Sequence, residues 1–201
     1  MRVTSVGKIK FENIVDVFSY ETLEDAKSNI NGEQILHTHN DIHPENMSYL
    51  LGSAIMVEQN NQLWTLALGN GGSQTDNIGR TIILPPNTIG RNISLYNETY
   101  SKAISNVNIA NNDIENNNIT LEHIIGNNYT DVIVRCTLNR YEPTGQETID
   151  TVTPSSNQYI FDEIGLVDRL GFLVAHTTFN PIQKSANRVI VVVYRVRIIV
   201  I

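Results

Sequence analysis

The chain has 201 residues, enough for one substantial domain that buries roughly 70% of its unfolded surface. Lys and Arg number 14 against 21 Asp and Glu, a net charge of -7 with no basic cluster, which excludes non-specific nucleic-acid binding by phosphate neutralisation. One cysteine, Cys136, excludes an internal disulfide, and no apolar run reaches the 18 residues of a membrane-spanning helix.

Residues 1–43 read as an extended arm or edge segment. Val3 to Val17 alternate only weakly, Glu21 to Ser28 suit a short helical turn, and Asn31-Gly32 marks a loop. Residues 1–9 lack a signal-peptide core, so synthesis and folding in the cytoplasm are expected. A helix is predicted near 45–59 of the main domain, residues 44–201. Pro44 and Glu45 suit its first turn, Met47, Leu50, Leu51, Ala54 and Ile55 form one stripe, and Asn60-Asn61 ends it.

Gln62 to Leu68 reads as a buried strand stopped by the turn Gly69 to Ser73. Residues 73–93 are loop-like, with an edge strand at Ile82 to Leu84. Ser94 to Ile104 is a short helix or an irregular strand, and Asn106 to Asn118 a polar surface loop. Tyr129 to Arg140 is a strand with Val132, Val134, Cys136 and Leu138 on one face. Glu142 to Ser156 is a loop. Ile160 to Val167 and Phe172 to Phe179 pair across the four-residue connection Asp168 to Gly171, and Asn180 to Asn187 is the last loop.

Arg188 to Ile201 is the strongest β signal. Ile190, Val192, Tyr194, Val196, Ile198 and Val200 fill one face. Val189, Val191 and Val193 begin the other, before Arg195 and Arg197. A strand apolar on both faces needs cover on both, from a sheet, a helix or another subunit. Many strands, long polar connections and no alternation of strand and helix predict a mainly β protein. The expected form is an antiparallel β-sandwich with one N-terminal helix and an extended N-terminal arm. Asn and Ile each make up about one residue in eight, which AT-rich codon usage accounts for.

Three stretches carry a resemblance. They are Trp64 to Gly72, a strand running into a glycine turn; Leu95 to Thr99; and Phe161 to Leu166 followed by Leu173 to Phe179, Pro181, Lys184 and the final β run. Together they resemble a pattern in tailed-bacteriophage virion proteins, above all the ending shared by tail, neck and collar-fibre proteins. His176 stands where that pattern commonly has a basic residue, and Val167 where it has an aromatic. The resemblance implies a non-enzymatic structural subunit located in the virion and present in many copies as a ring or collar of the tail, neck or baseplate. Its partners would be copies of itself and neighbouring portal, tail or collar components, without direct nucleic-acid or membrane contact and without cofactors. Tyr194, Arg195, Arg197 and Lys184 are the candidate subunit-interface residues. The alternative is a carbohydrate- or receptor-binding or capsid-decoration β-sandwich, for which Tyr96, Tyr100, Tyr141 and Tyr159 are candidate contacts.

Chemistry has few footholds. His37, His39 and His43 are weak metal-ligand candidates: the first two face one side of an extended segment, but no carboxylate is well spaced to support them. The same segment reads more readily as a solvated linker or an interface histidine pair. A metal-dependent hydrolase built on it is the remaining alternative. Asp162 and Glu163 are strand neighbours that point to opposite faces unless a bulge intervenes. The Gly69 to Gly72 turn lacks the Lys-Ser/Thr ending of a phosphate loop. His123, His176 and Trp64 read as ordinary packing residues. No catalytic residue is expected.

Overall fold

The C-terminal strand, apolar on both faces, lies at the middle of a sheet rather than at its rim. The computed structural model describes residues 7–56, 62–143 and 160–201. They form β1 (Ile9–Tyr20), α1 (Leu23–Ser28), β2 (Glu33–His39), β3 (Asp41–Ile42), α2 (Pro44–Ile55), β4 (Leu63–Gly69) and β5 (Ser73–Thr75). Then follow β6 (Thr81–Ile83), β7 (Glu98–Ala103), β8 (Asn118–Glu122), β9 (Tyr129–Leu138), β10 (Ile160–Asp168), β11 (Leu173–Gln183) and β12 (Val189–Val200). Residues 1–6 of the expected arm, the predicted helix end at 57–59, most of the 142–156 loop and Tyr159 lie outside the described residues.

Two five-stranded sheets, β2-β1-β12-β9-β8 and β3-β11-β10-β4-β7, account for most of the strands, and a small β5-β6 hairpin for the rest. Every pairing is antiparallel, so the mainly β, antiparallel class read from the sequence is the class observed. One buried cluster draws on both large sheets, with Val15, Val17, Val134, Cys136 and Tyr194 from the first and Leu66, Leu68, Ile164, Leu166 and Val174 from the second. Removing these side chains from water is the main force joining the sheets.

The arm is corrected. Residues 9–20 form β1, held between β2 and β12 in continuous register from Ile9 opposite Val200 to Tyr20 opposite Val189. Val15 and Val17 are fully buried. Asn13 interrupts this inward row, which hides the alternation from a sequence scan. Of the segment, β2 is an edge strand.

The outer face of β12 is covered from within the chain. Val189 and Val191 are buried with Tyr20 and Ala26, and Phe18, Leu23 and Val193 pack around them. Helix α1 can act as this cover because both its ends are closed. The Thr22 hydroxyl accepts from Asp25 N–H at 3.1 Å, and Asn29 adopts the left-handed conformation (φ 52°) at the C-terminus. The two apolar faces of β12 therefore give no argument for a partner subunit over that strand.

Asn40 carries the chain from the first sheet to the second: its N–H donates to Asn13 O at 3.3 Å, and β3 then pairs with Ala175 and His176. Helix α2 follows at once. Met47 is buried and Leu50 and Leu51 pack on the core, but Ile55 is 84% exposed, so the expected stripe stops a turn early. Residues 98–103 resolve to an edge strand. Ile82 and Ile83 belong to the separate hairpin and not to an edge of a main sheet.

The Asn-rich loop is built by its asparagines. Asn111 Nδ2 donates to Ser105 O and Asn117 O, Asn116 Nδ2 to Asp113, and Asn117 Oδ1 accepts from Thr137 N–H at 2.8 Å. Asn108, Asn111, Asn116 and Asn117 are buried, so these amides take the place of secondary structure in satisfying the backbone. Among the described residues no helix is long and apolar enough to cross a membrane.

Candidate functional site

The three stretches singled out in the sequence, 64–72, 95–99 and 161–179, converge on one buried side chain, Glu163 of β10. Its Oε1 accepts from Gly71 N–H at 3.1 Å and Asn97 N–H at 2.7 Å, and its Oε2 from Tyr96 N–H at 2.8 Å. His176 of β11 completes the set, with Nε2 at 3.1 Å from Oε2. Asn87 N–H donates to His176 Nδ1 at 2.8 Å, which puts the ring proton on Nε2 and makes the imidazole a neutral donor. Glu163 and His176 are both fully buried.

Glycine makes this approach feasible. A Cβ at Gly69 would meet Asn97 O and the Glu163 carboxylate, one at Gly71 the backbone of Asn97, and one at Gly72 the Asp162 carbonyl. Gly165, two residues along β10, leaves room for Leu95 and Leu173, whose cluster with Ala67 covers the outer face of the second sheet.

Asp162 reaches the same turn, its Oδ1 accepting from Gly72 N–H at 2.7 Å and its Oδ2 from the Ser73 hydroxyl at 2.5 Å. The bulge that the sequence reading made the condition for neighbouring carboxylates to converge is present: the register breaks between Phe161 and Glu163. On β11 the break falls between Thr178 and Ile182, where Pro181, with no N–H to donate, is accommodated.

Burial pushes the Glu163 carboxyl up, but the imidazole and the amide donors outweigh it and hold it below the ordinary glutamate value. For Asp162, burial prevails over the Ser73 and Gly72 hydrogen bonds and raises it. A carboxylate holding four internal donors and a ring bonded at both nitrogens have no capacity left for a substrate proton. The cluster fastens the 69–73 turn and the 94–97 segment to β10.

A second polar group lies between β7 and the end of β9. Lys102 Nζ bonds both Glu142 oxygens (2.8 and 2.6 Å) and Thr137 O, and Tyr100 Oη donates to Glu142 at 2.7 Å. Burial raises Glu142, and the Lys102 and Tyr100 bonds bring it below its ordinary value. Buried Cys136 is pushed up to about 12, the state of an unreactive thiol.

The histidine candidates separate. His43 is buried and caps α2, Nδ1 accepting from Asn46 N–H at 3.2 Å and Nε2 lying 3.0 Å from Gly90 O, so it is no metal ligand. His37 and His39 share the outer face of β2. Asp16, directly across on β1, lies 2.6 Å from His37 Nδ1; this is the carboxylate that sequence spacing could not supply, because it comes from the neighbouring strand. Among the described residues no three or more His, Cys, Asp or Glu side chains are arranged to hold a metal ion.

The interface candidates are largely occupied within the chain. Tyr194 is fully buried between the sheets, because even positions of β12 face inward. Lys184 is 2% exposed, donating to Ser185 O and Arg188 O; burial pushes its amine down to about 8. Arg197 makes a paired contact with Asp131 at 2.7 and 2.8 Å and lies 4.1 Å over the Tyr129 ring. Arg195, 4.0 Å from Asp131, keeps part of its side chain in solvent.

Trp64 is only partly buried, lining an open cleft of about 550 Å³ with Gln62, Val107, Ile109 and Arg169, the Arg169 guanidinium 4.8 Å from its ring centroid. Of the tyrosines, Tyr96 Oη donates to Pro85 O and Tyr100 is committed to Glu142, while Tyr141 is 55% exposed.

No family model, curated protein or solved structure matches the chain.

Proposed function

We propose that the chain is a non-enzymatic structural subunit of a tailed-phage virion, assembling in multiple copies in a ring or collar of the tail, neck or baseplate. The observation that carries this reading is the convergence on Glu163. Residues 64–72, 95–99 and 161–176, scattered in sequence, are the parts of one clamp that holds backbone to backbone. That is the use a building block has for such residues. Support for assembly comes from the first sheet, where Ile9, Leu121, Ile124, Ile125, Val200 and Ile201 are each more than half exposed. Ile9 pairs with Val200, Val200 N–H donates to Asn128 O and Asn127 N–H to Ile124 O, which brings Ile9, Val200 and the 124–128 turn together. Exposed apolar surface of this kind favours contact between copies.

Sedimentation of the purified chain, with mass spectrometry of purified particles, tests the reading. Multi-copy species that Ile124→Asp and Ile125→Asp dissociate, and the presence of the chain in particles, are expected. A monomer at every concentration, absent from particles, overturns it.

A second reading, a carbohydrate- or receptor-binding module, draws on the Trp64 cleft, since a partly exposed indole suits stacking on a sugar face. A glycan array on which wild type binds and Trp64→Ala does not would favour it over the structural role.

A further inference from the structure

We propose that the outer face of β2 binds one divalent transition-metal ion through His37 Nε2 and the ring of His39. Side chains two residues apart on a strand point the same way, and the two rings lie with centroids 6.3 Å apart at 69°.

The stronger argument concerns His37 alone. Asp16 Oδ1 lies 2.6 Å from its Nδ1 and also accepts from Gln34 Nε2 at 2.7 Å. The carboxylate is thereby fixed, the ring proton is held on Nδ1, and the Nε2 lone pair points away from Asp16. A carboxylate behind an imidazole is the arrangement that orients a metal-binding histidine and raises its basicity. The His37 side chain is 57% exposed, so an ion reaches Nε2 without crossing the core.

His39 makes no ring hydrogen bond among the described residues and is free to turn. Two imidazoles on one tetrahedral ion place their centroids roughly 5 Å apart, so rotation of His39 closes a gap of about 1 Å. Asp16 acts on His37 and not on the ion. The site thus has two protein donors, with water in the other positions, which is consistent with the lack of a three-donor cluster among the described residues. His43, buried at the start of α2, takes no part.

Calorimetric titration of the full chain with zinc chloride tests this. One ion per chain is expected, with His37→Ala and His39→Ala each weakening binding at least tenfold, Asp16→Asn weakening it about tenfold, and His123→Ala leaving it unchanged. Circular dichroism establishes that each variant is folded. Zinc-induced shifts of the His37 and His39 ring proton signals in wild type give a readout that needs no substitution. Absence of zinc binding, binding indifferent to both histidine variants, or ring signals that do not move would overturn the site. An unchanged affinity in Asp16→Asn would overturn the part assigned to Asp16.

Discussion

His176 Nε2 and Glu163 Oε2 lie 3.1 Å apart on adjacent strands, and neither side chain has any exposed surface. Glu163→Gln keeps the shape of this contact but replaces one oxygen by an amide that faces N–H donors. Removing one partner of a buried charged network strands the others. A loss of about 3 kcal/mol is expected from urea unfolding of variant against wild type. A loss below about 1 kcal/mol would show that the clamp is dispensable.

The same carboxylate sets part of the acid sensitivity. Glu163 is held below its ordinary value in the folded chain, as is Asp131, chiefly by its Arg197 hydrogen bonds. A depressed carboxyl contributes stability that is complete above the unfolded value, near pH 4, and is lost as pH falls through the folded value. Asp162 and Asp168, raised chiefly by burial, act in the opposite sense, gaining stability as they protonate. Unfolding free energy measured from about pH 5 to pH 3 should therefore fall less steeply in Glu163→Gln than in wild type. Parallel curves would contradict the assignment.

Three glycines separate steric need from mere presence. Alanine at Gly72 meets backbone, the carbonyl of Asp162, whose side chain is itself bonded to Gly72 and Ser73; at Gly165 it meets the flexible ends of Leu95 and Leu173; at Gly52 of α2 it meets nothing within 4 Å. Gly72→Ala should cost most, on the order of 2 kcal/mol or more, and Gly165→Ala less. Gly52→Ala should stabilise by up to about 1 kcal/mol, the helix-propensity difference. Melting temperatures that failed to follow this order would count against the packing described.

Tyr194 Oη is buried with no hydrogen-bond partner among the described residues. Tyr194→Phe should be neutral or stabilising by up to about 1 kcal/mol, since an unsatisfied hydroxyl is removed and the ring retained. Clear destabilisation on chemical unfolding would mean the hydroxyl has a bonded role.

Strands β9 and β12, whose inward rows are unbroken, were legible from sequence, and so were β10 and β11, whose apolar runs outweigh their register breaks, with the Asp168 to Gly171 tip between the latter two. There Asp168 Oδ1 accepts from Leu170 and Phe172 N–H, and Gly171 takes φ 87°. β1 was not legible, because Asn13 stands in its inward row and the partner that orders it, β12, is 191 residues away for Ile9. The polar clamp was hidden for the same reason. Glu163, Asn97, Gly71 and His176 meet only in three dimensions, and the register break that turns Asp162 toward the same turn has no local signature beyond Pro181. The Asp16–His37 contact likewise depends on strand register. The asparagine excess, read as codon usage, is partly structural at 108–117.

Because β12 enters between β1 and β9, the first sheet stays split into two halves until residues 189–200 emerge from the ribosome. Val17 and Cys136, on strands either side of that slot, join one sheet only once β12 is in place. Closure of this layer is dominated by distant pairings, which makes it slow. Nascent chains crowded on one messenger would be prone to lend each other the missing strand before their own arrives.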